Sequence, residues 1–450
     1  MSVVFKLDDL DSEEQEKIDK LLTFIPEENK AMKFSRPSFF RPESTGLVKM
    51  YYTHNKQVHL PYRFACAYKQ TIFNQDLKYP KIFAKREGNF SGKLLDRQTE
   101  PFKQAIEYLK EYQTVTIALY PGFGKTFIGT MLSWYLNRKT CVLVHRENVG
   151  KQWVKTFRNY FNLPEEEVVF VDNKEISDNF KVLVCMDGRV DKIKKEHKRE
   201  IGTLIIDEAH CFCAPSKVKP MLSFSPKYTI AETATPVKEN GMHKMIQSIC
   251  GTHYIRKISN KPYKFYLIQT NLEFATEGEH NPFGQLVTKQ CTSLERNQLI
   301  LDILLQNQKY KTIIATSRTE HCKTLKSMIE EKGMESSELY GNKKNYKTKN
   351  ILIGTGSKMG VGFDEANFCD DFDGRASDLL IICYTFASWA PFEQVRGRGM
   401  RAETPTVIML NDQHNITKKH FRQIKKWVRE TNGEVIEMNL KKFEEINFKI

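Results

Sequence analysis

From about residue 97 onward, short apolar runs alternate with stretches whose apolar positions recur at helical spacing. The runs of a first series lie at 114–119, 140–145, 167–171, 181–185, 203–206 and 228–231. A second series begins near residue 263, with runs at 263–268, 312–316, 351–354, 379–384 and 406–410. Short buried strands that alternate with amphipathic helices are typical of parallel sheets covered by helices. The pattern therefore predicts an α/β chain with two parallel-sheet domains in tandem.

Turn residues separate the two series, because Pro236, Asn240, Gly241 and Pro262 all lie between them, which places the domain junction near residue 255. Residues 1–95 have no clear hydrophobic period and mix aromatic with basic side chains. They are predicted to form an N-terminal accessory domain that binds a substrate or a partner; the alternative is a structural cap whose aromatic residues form its core. The predicted domains are 1–95, 96–255 and 256–450.

Charge and cysteine content narrow the class of protein. The 450 residues carry 69 Lys and Arg against 55 Asp and Glu, a formal net charge of +14. This excess suggests a polyanionic partner such as nucleic acid, although a solvated basic surface explains it equally well. The ten cysteines include no Cys-x-x-Cys pair, which favours packed, reduced thiols over zinc. No apolar stretch reaches membrane-spanning length, so we expect a soluble intracellular protein without a membrane contact.

The segment PGFGKT, residues 121–126, lies between an apolar run and a stretch with helical spacing. Gly122 and Gly124 allow the backbone N–H groups to turn inward around a phosphate, and the following helix directs its positive dipole end at the anion. Lys125 can reach the β and γ phosphates, and the Thr126 hydroxyl can bind Mg²⁺. A turn of purely geometric origin is the alternative, but the position between strand and helix favours a nucleotide site.

The segment TLIIDEAH, residues 203–210, places acidic residues directly after a second apolar run. Asp207 lies at the carboxyl edge, where such sheets bind ligands, and is predicted to hold Mg²⁺ through water. Glu208 is placed to polarise the attacking water as general base. The alternative is a helix cap.

The segment QVRGRGMR, residues 394–401, places Gln394, Arg398 and Arg401 at i, i+4 and i+7, which is one face if the stretch is helical. Arginine is always charged and planar, so these residues suit the γ-phosphoryl charge of a phosphoryl transfer. A basic surface helix is the alternative. The arginines lie in the second predicted domain and Lys125 lies in the first. Hydrolysis would therefore depend on closure of the two domains, as in a motor.

Taken in order, these motifs resemble those of superfamily 2 helicases over residues 96–412. Further matches are the Gln98 of DRQTE, the segment TATP at 233–236, and GVGFDEA, which contains Asp364. The resemblance implies two tandem RecA-like domains, with ATP and Mg²⁺ as cofactors. It assigns nucleotide contacts to Gln98, Gly122, Gly124, Lys125, Thr126, Asp207, His210, Asp364 and Gln394, and catalysis to Lys125, Glu208, Arg398 and Arg401.

Within this superfamily the chain resembles most the poxvirus-type DNA helicase that releases transcripts. The features concerned are GFGKT, KQW after the second strand, and ERNQLILDILL at 295–305 followed by TIIATSRTEH. The resemblance implies DNA, as duplex or RNA–DNA hybrid, and RNA polymerase as partners, with a role in viral transcription termination in the host cytoplasm or the virion. A branch-migration helicase of recombination or repair, an RNA helicase and a scaffold without activity are the alternatives.

In such motors, nucleic acid crosses both α/β domains mostly through backbone contacts. The residues at the matching positions are Arg146, Gln152, Arg318, Thr355 and Lys358. One departure concerns motif Ia, where His145 and Arg146 stand in place of the family's proline and small hydroxyl residue. Residues 418–429 are predicted to form a helix on the second domain whose basic face is either solvated or in contact with DNA.

Overall fold

The computed structural model describes residues 2–25, 47–61, 64–65, 90–172, 175–238, 240–276, 281–360, 363 and 365–439. Contacts between residues divide this part of the chain into two compact units, and the division falls between Lys257 and Ile258. Among the described helices, none combines the length and the apolarity needed to cross a bilayer. No disulfide joins the described cysteines, and all of them except Cys211 are buried.

The first unit begins with a small antiparallel sheet of three strands in the order β1-β5-β4. The elements of this region are β1 (Ser2–Lys6), α1 (Ser12–Leu22), β2 (Thr23–Phe24), β3 (Val48–Lys49), β4 (Tyr52–His54) and β5 (Gln57–Pro61). Helix α1 starts at a capping box, in which Asp11 and Glu14 each accept a hydrogen bond from the other's backbone N–H. This satisfies two N–H groups that a helix start otherwise leaves unpaired.

The described N-terminal residues share their hydrophobic core with the parallel sheet that follows. Leu22, Val58 and Leu60 are buried in one cluster with Leu183 and Ile206 of that sheet. This part of residues 1–95 is therefore packed as a portion of the first unit and has no separate core. Two of its aromatic residues pack against the same core.

Tyr51 and Tyr52 are half-buried against that same cluster, and Tyr52 stacks on His59 with 4.3 Å between ring centroids. Phe39, Phe40 and Arg41, which belong to the same mixture of aromatic and basic residues, lie outside the described residues. A substrate-binding role for residues 1–95 stays a prediction.

A seven-stranded, entirely parallel sheet forms the centre of the first unit, in the order β12-β6-β11-β10-β7-β9-β8. Its elements are α2 (Asp96–Tyr112), β6 (Thr114–Leu119), α3 (Lys125–Leu136), β7 (Thr140–Val144), α4 (Glu147–Phe161), β8 (Val168–Phe170), β9 (Val182–Met186), α5 (Lys195–Glu200), β10 (Thr203–Ile206), α6 (Val218–Leu222), β11 (Tyr228–Thr233), α7 (Lys244–Cys250) and β12 (Tyr254–Lys257). Every residue of β6, β7 and β10 is buried, as the uninterrupted apolar runs require.

The second unit contains another seven-stranded parallel sheet, in the order β15-β16-β14-β17-β18-β13-β19. Its elements are β13 (Tyr263–Glu273), α8 (Pro282–Thr292), α9 (Leu294–Gln306), β14 (Thr312–Thr316), α10 (Thr319–Glu331), β15 (Ser336–Leu339), β16 (Ile351–Thr355), α11 (Gly356–Met359), α12 (Glu365–Phe368), β17 (Leu379–Ile382), α13 (Trp389–Gly399), β18 (Thr406–Gln413), α14 (Asn415–Glu430) and β19 (Gly433–Asn439). The predicted α/β class with two tandem parallel sheets is confirmed.

A buried ionic network joins four elements of the second unit. Asp412, near the end of β18, accepts hydrogen bonds from Thr270 Oγ1 at 2.6 Å, Gln290 Nε2 at 2.6 Å and Arg296 Nε at 2.9 Å. Arg296 and Asp412 are both almost completely excluded from solvent. An ion pair of this kind adds little net stability, but losing one partner leaves an uncompensated buried charge.

We expect Asp412→Asn to lower the free energy of unfolding of the second unit by about 3 kcal/mol, because the Arg296 charge stays buried without its counterion. Chemical denaturation measures this. Asp302→Asn, at a half-buried position on α9, is the matched control and should change the free energy by less than about 0.5 kcal/mol. The double change Arg296→Met with Asp412→Leu should cost less than Asp412→Asn alone; a larger cost would contradict the assignment.

Candidate nucleotide site

The loop between β6 and α3 has a backbone that only glycine adopts readily. Gly122 and Gly124 have φ angles of 84° and 99°, in the left-handed region. A side chain at Gly124 would also collide with Nε2 of Gln98. Helix α3 begins at Lys125 directly after this loop and runs for 12 residues, so its first backbone N–H groups face outward at the loop. The glycine-containing loop and the first turn of helix α3 together form a site that suits an anion such as phosphate.

Two side chains of the predicted site contact the main chain around this loop. The Lys125 ammonium donates to the carbonyl of Leu119, the last residue of β6, at 3.1 Å. The Gln98 side chain is buried; its Nε2 donates to the Phe123 carbonyl and its Oε1 accepts from the Leu95 N–H, both at 3.0 Å. Gln98 therefore holds the loop through its main chain. Its predicted contact with adenine stays a prediction.

Asp207 follows β10 and is buried at the carboxyl edge of the sheet. Its Oδ2 accepts a hydrogen bond from Trp153 Nε1 at 2.7 Å, and its Oδ1 accepts from the Glu208 N–H at 2.8 Å. Burial, with the neighbouring Glu208 charge, raises the pKa of Asp207 to about 6. Strand β11 lies between β6 and β10, so Asp207 lies two strands away from the phosphate loop.

Glu208 adopts a left-handed backbone with φ of 48°, which is uncommon for a residue other than glycine and stores strain. Its Oε2 is buried, makes no hydrogen bond and lies 3.4 Å from His210 Nδ1. His210 Nδ1 also lies 3.0 Å from Thr233 Oγ1, and burial lowers the pKa of this imidazole. The Lys238 ammonium donates to the His210 carbonyl at 3.0 Å. The DEAH segment is thereby connected to the TATP segment at the end of β11.

Two residues of this site were not predicted from the sequence. Trp153 belongs to the KQW motif, but the motif does not predict its contact with Asp207, which depends on how α4 packs on the sheet. Glu232 is fully buried, and neither carboxylate oxygen makes a hydrogen bond. Its carboxyl group packs against Gly129 of α3, where a side chain would collide with it. The available signal was an acidic residue inside the apolar run YTIAET.

The sheet register places Glu232 beside Asp207. Ile206 pairs with Ala231, so Asp207 and Glu232 stand one residue further along adjacent parallel strands and lie on the same face of the sheet. Burial, together with the Asp207 charge, raises the pKa of Glu232 well above its ordinary value. Three carboxyl groups, those of Asp207, Glu208 and Glu232, therefore belong to this one edge of the sheet.

In the second unit, the predicted helical face of Gln394, Arg398 and Arg401 is only partly present. Helix α13 ends at Gly399, so Arg401 lies in the turn that follows, and the prediction of one shared helical face was wrong for it. The Arg398 guanidinium is buried and donates to the main-chain carbonyls of Met359, Gly360 and Phe363, with 2.8 Å from Nε to the Met359 oxygen.

Gln394 is buried on the same helix. Asp364 lies outside the described residues. The roles of these residues toward a nucleotide stay predictions.

The five candidate nucleic-acid contacts divide between the two units. In the first, Arg146 precedes α4 directly after β7, and Gln152 is half-buried within α4. In the second, Arg318 is exposed after β14, and Thr355 is buried at the end of the adjacent β16. Lys358 follows in α11, where its ammonium donates to the Lys343 carbonyl at 3.2 Å.

Because β14 and β16 are parallel and paired, with Thr316 opposite Thr355, the structure brings the last three candidates to one edge of the second sheet. Contact with nucleic acid stays a prediction for all five.

Comparison with known proteins gives matches in both sequence and fold. Residues 91–238 match the family described as type III restriction enzyme, res subunit. Protein 161L of Invertebrate iridescent virus 6, named as a helicase, is 24% identical over 417 residues, covering 85% of this chain and 89% of the viral protein. Protein 055L of Frog virus 3 (isolate Goorha), also named as a helicase, is 24% identical over 351 residues, covering 75% of this chain and 78% of that protein.

Among solved structures, S. cerevisiae Dbp5 bound to RNA and ADP BeF3 has a similar fold, with a TM-score of 0.55 and 13% identity. The match covers 77% of this chain and 91% of the Dbp5 chain. The two parallel sheets thus have the tandem RecA-like fold that the sequence predicts. In sequence, the chain is similar to viral proteins that are named as helicases.

We expect Glu232→Gln to change how stability depends on pH. The folded chain keeps the Glu232 proton to higher pH than the unfolded chain does, so the wild-type protein loses stability as pH rises above the ordinary pKa of glutamate. The Gln variant should lose less stability between pH 5 and pH 8, as measured by denaturant unfolding at both pH values. Glu166→Gln, at an exposed position, is the control. Equal pH dependence of wild type and Glu232→Gln would show that Glu232 is not buried in this way.

Proposed function

We propose that this chain is an ATP-hydrolysing motor that moves along nucleic acid. One observation carries the proposal: the glycine loop, Lys125, Asp207 and Glu208 meet at the carboxyl edge of one parallel sheet, around the start of helix α3. This edge is where α/β sheets bind ligands. The two glycine φ angles and the backbone N–H groups of α3 suit phosphates, and the acids suit a metal ion and a water molecule.

The residues present fit Mg²⁺ bound together with ATP. Asp207 and Glu208 are adjacent acids, both largely shielded from water, and the pKa of Asp207 is raised in part by its neighbour's charge, so a cation there relieves repulsion. Mg²⁺ is commonly held by one or two carboxylates and by substrate phosphates. Asp207 and Thr126 would hold the ion, which supplies positive charge to the β and γ phosphate oxygens.

Lys125 would exchange the Leu119 carbonyl for a phosphate oxygen, because both are acceptors for the same ammonium group. Glu208 would orient the attacking water and accept its proton. Its Oε2, which makes no hydrogen bond, is available for that contact. Glu208 also has an uncommon left-handed backbone, a kind of strain that often occurs at functional sites.

Arg398 and Arg401 are proposed as the arginines that stabilise charge on the transferred γ-phosphoryl group. In this structure the Arg398 guanidinium is held by three carbonyls of residues 359–363. These bonds fix the position of the guanidinium, so a phosphoryl oxygen would have to approach it where the carbonyls of Met359, Gly360 and Phe363 hold it.

The proposed track is DNA, as duplex or RNA–DNA hybrid, and the proposed role is viral transcription termination with release of the transcript from RNA polymerase. The support is the resemblance of GFGKT, KQW and residues 295–305 to the poxvirus-type enzyme, together with the net charge of +14 and the viral relatives. A branch-migration helicase would hydrolyse ATP by the same chemistry and is the alternative role. RNA is a second track to test, because Dbp5, whose fold is similar, is bound to RNA in its structure.

Residues 1–95 are proposed to direct the motor to its substrate. Their described part shares a core with the first parallel sheet, so removing them would expose Leu183 and Ile206. Exchange of single surface side chains is therefore a sharper test of this role than truncation.

Lys125→Ala and Glu208→Gln should separate nucleotide binding from hydrolysis. We expect Lys125→Ala to weaken ATP binding, because it removes the phosphate ligand. Glu208→Gln should keep ATP affinity within about threefold while turnover falls by 100-fold or more, the order that general base catalysis contributes. Titration with a fluorescent ATP analogue and steady-state ATPase assays measure both. Lys103→Ala and Glu166→Gln, which change exposed residues, are the controls. Near-normal turnover of Glu208→Gln would disprove the catalytic assignment.

Polynucleotides of different kinds should stimulate the ATPase unequally. We expect DNA to stimulate more than RNA, with little dependence on base sequence and with affinity falling steeply as salt rises, because a translocating motor holds phosphates. Stronger stimulation by RNA would favour the RNA helicase. Transcript release from a stalled elongation complex, compared with unwinding of a forked DNA, then separates termination from branch migration. Glu208→Gln serves as the inactive control in both assays, and DNA binding that is insensitive to salt would contradict the motor.

A further inference from the structure

We propose that the exposed face of helix α14 is a second phosphate-binding surface for nucleic acid, an inference that rests on the proposed function. This α14 basic stripe consists of Lys418, Lys419, Arg422, Lys426 and Arg429, all of them exposed. The steps between them are mostly three or four residues, so at 100° per residue they occupy one side of the helix. The opposite side is apolar: Phe421, Ile424, Trp427 and Val428 are buried in the core of the second unit.

The stripe carries positive charge that its own unit leaves mostly unneutralised. Lys426 lies 3.8 Å from Glu430, and both are well exposed. Within the described residues, no carboxylate forms an ion pair with Lys418, Lys419 or Arg422. Lys425, at the border of the stripe, pairs instead with Glu437 of β19 at 2.9 Å.

From Lys418 to Arg429 the helix rises roughly 16 Å, at about 1.5 Å per residue. Five cations along this distance face several successive phosphates of a strand, since B-DNA has about 3.4 Å between phosphates along its axis. The side chains of the stripe are Lys and Arg, whose charge suits contact with the phosphate backbone, and the exposed Gln423 lies at its border. Duplex or single-stranded nucleic acid is therefore the partner that the stripe fits.

The position of α14 connects the stripe to residues already assigned. The helix starts just after β18, at the carboxyl edge of the second sheet, which is also the edge of Arg318 and Thr355. The stripe thus begins at the edge where the predicted track of this unit runs.

Helix α14 also packs on α13. Trp427 contacts Trp389 and Phe392 of α13, with ring centroids 5.9 Å and 5.8 Å apart. Helix α13 carries Gln394 and Arg398. The helix that carries the stripe is therefore packed on the helix that carries the proposed arginine finger Arg398.

The test is the salt dependence of DNA binding by the full chain. Each phosphate contact that is lost lowers the slope of log K against log salt by about 0.9. We expect the triple change Lys418→Gln, Lys419→Gln and Arg422→Gln to lower this slope by about 2 to 3 and to weaken binding by at least tenfold at 100 mM salt. Fluorescence anisotropy with a duplex of mixed sequence measures both quantities. The DNA concentration that gives half-maximal ATPase stimulation should rise by the same factor.

The matched control changes Lys93, Lys103 and Lys110 to Gln, which removes the same charge from exposed positions of the first unit. It should leave the slope within experimental error and the affinity within about twofold, after allowance for net charge. If the triple variant does not fold, as judged by its thermal transition, the single changes Arg422→Gln and Lys426→Gln should each lower the slope by about 1.

If the stripe variants keep the wild-type slope of log K against log salt, this inference is wrong, while the proposed function is unaffected. Absence of any salt-dependent DNA or RNA binding by the wild-type chain overturns the proposed function itself. Binding to vesicles of phosphatidylcholine and phosphatidylserine that the triple change abolishes, with DNA binding unaffected, would assign the stripe to a membrane surface and also overturn the inference.

Discussion

A parallel strand can be followed by another only after the chain has crossed back over the sheet, so all strands of such a sheet end at the same edge. In the first unit this constraint brings together the loop after β6, the acids after β10 and the TATP segment after β11. In the second it brings Arg318 and Thr355 to one edge. Residues more than 100 positions apart in the sequence become neighbours for this reason, and the chemistry of both units depends on it.

The candidate nucleotide site combines several unfavourable local features. Asp207 is buried and its pKa is raised to about 6, Glu208 has a left-handed backbone, and Glu232 has no hydrogen-bond partner for its carboxylate. Each feature costs free energy, and the fully buried strands β6 and β10 offset that cost. Features of this kind collect where a ligand's charge is expected, since a bound cation or phosphate changes their energies.

The sequence was sufficient for elements whose signal is continuous and local. Strands β6, β10 and β14 have the predicted bounds because each is a run of residues buried on both faces. The edge strands β12, β15 and β19 were not predicted, since edge positions alternate buried with exposed residues and give a weak pattern.

For the candidate site, Lys125, Asp207 and Glu208 were predicted from short motifs, and all three lie at the carboxyl edge of the first sheet. The contacts of Trp153 with Asp207 and of Arg398 with the Met359 carbonyl could not be predicted, because they arise from tertiary packing between elements distant in sequence. The end of α13 at Gly399 was missed for a related reason: a glycine can either continue or end a helix, and its neighbours in the fold decide.

The common core of the N-terminal sheet and the first parallel sheet limits how freely the two can be recombined. Leu22, Val58 and Leu60 cover one side of a cluster whose other side is formed by Leu183 and Ile206. A different N-terminal region, acquired by evolution or by engineering, would have to present a matching apolar surface before it could add a new specificity. The N-terminal region and the first parallel sheet are therefore expected to be inherited together, as one unit of sequence change.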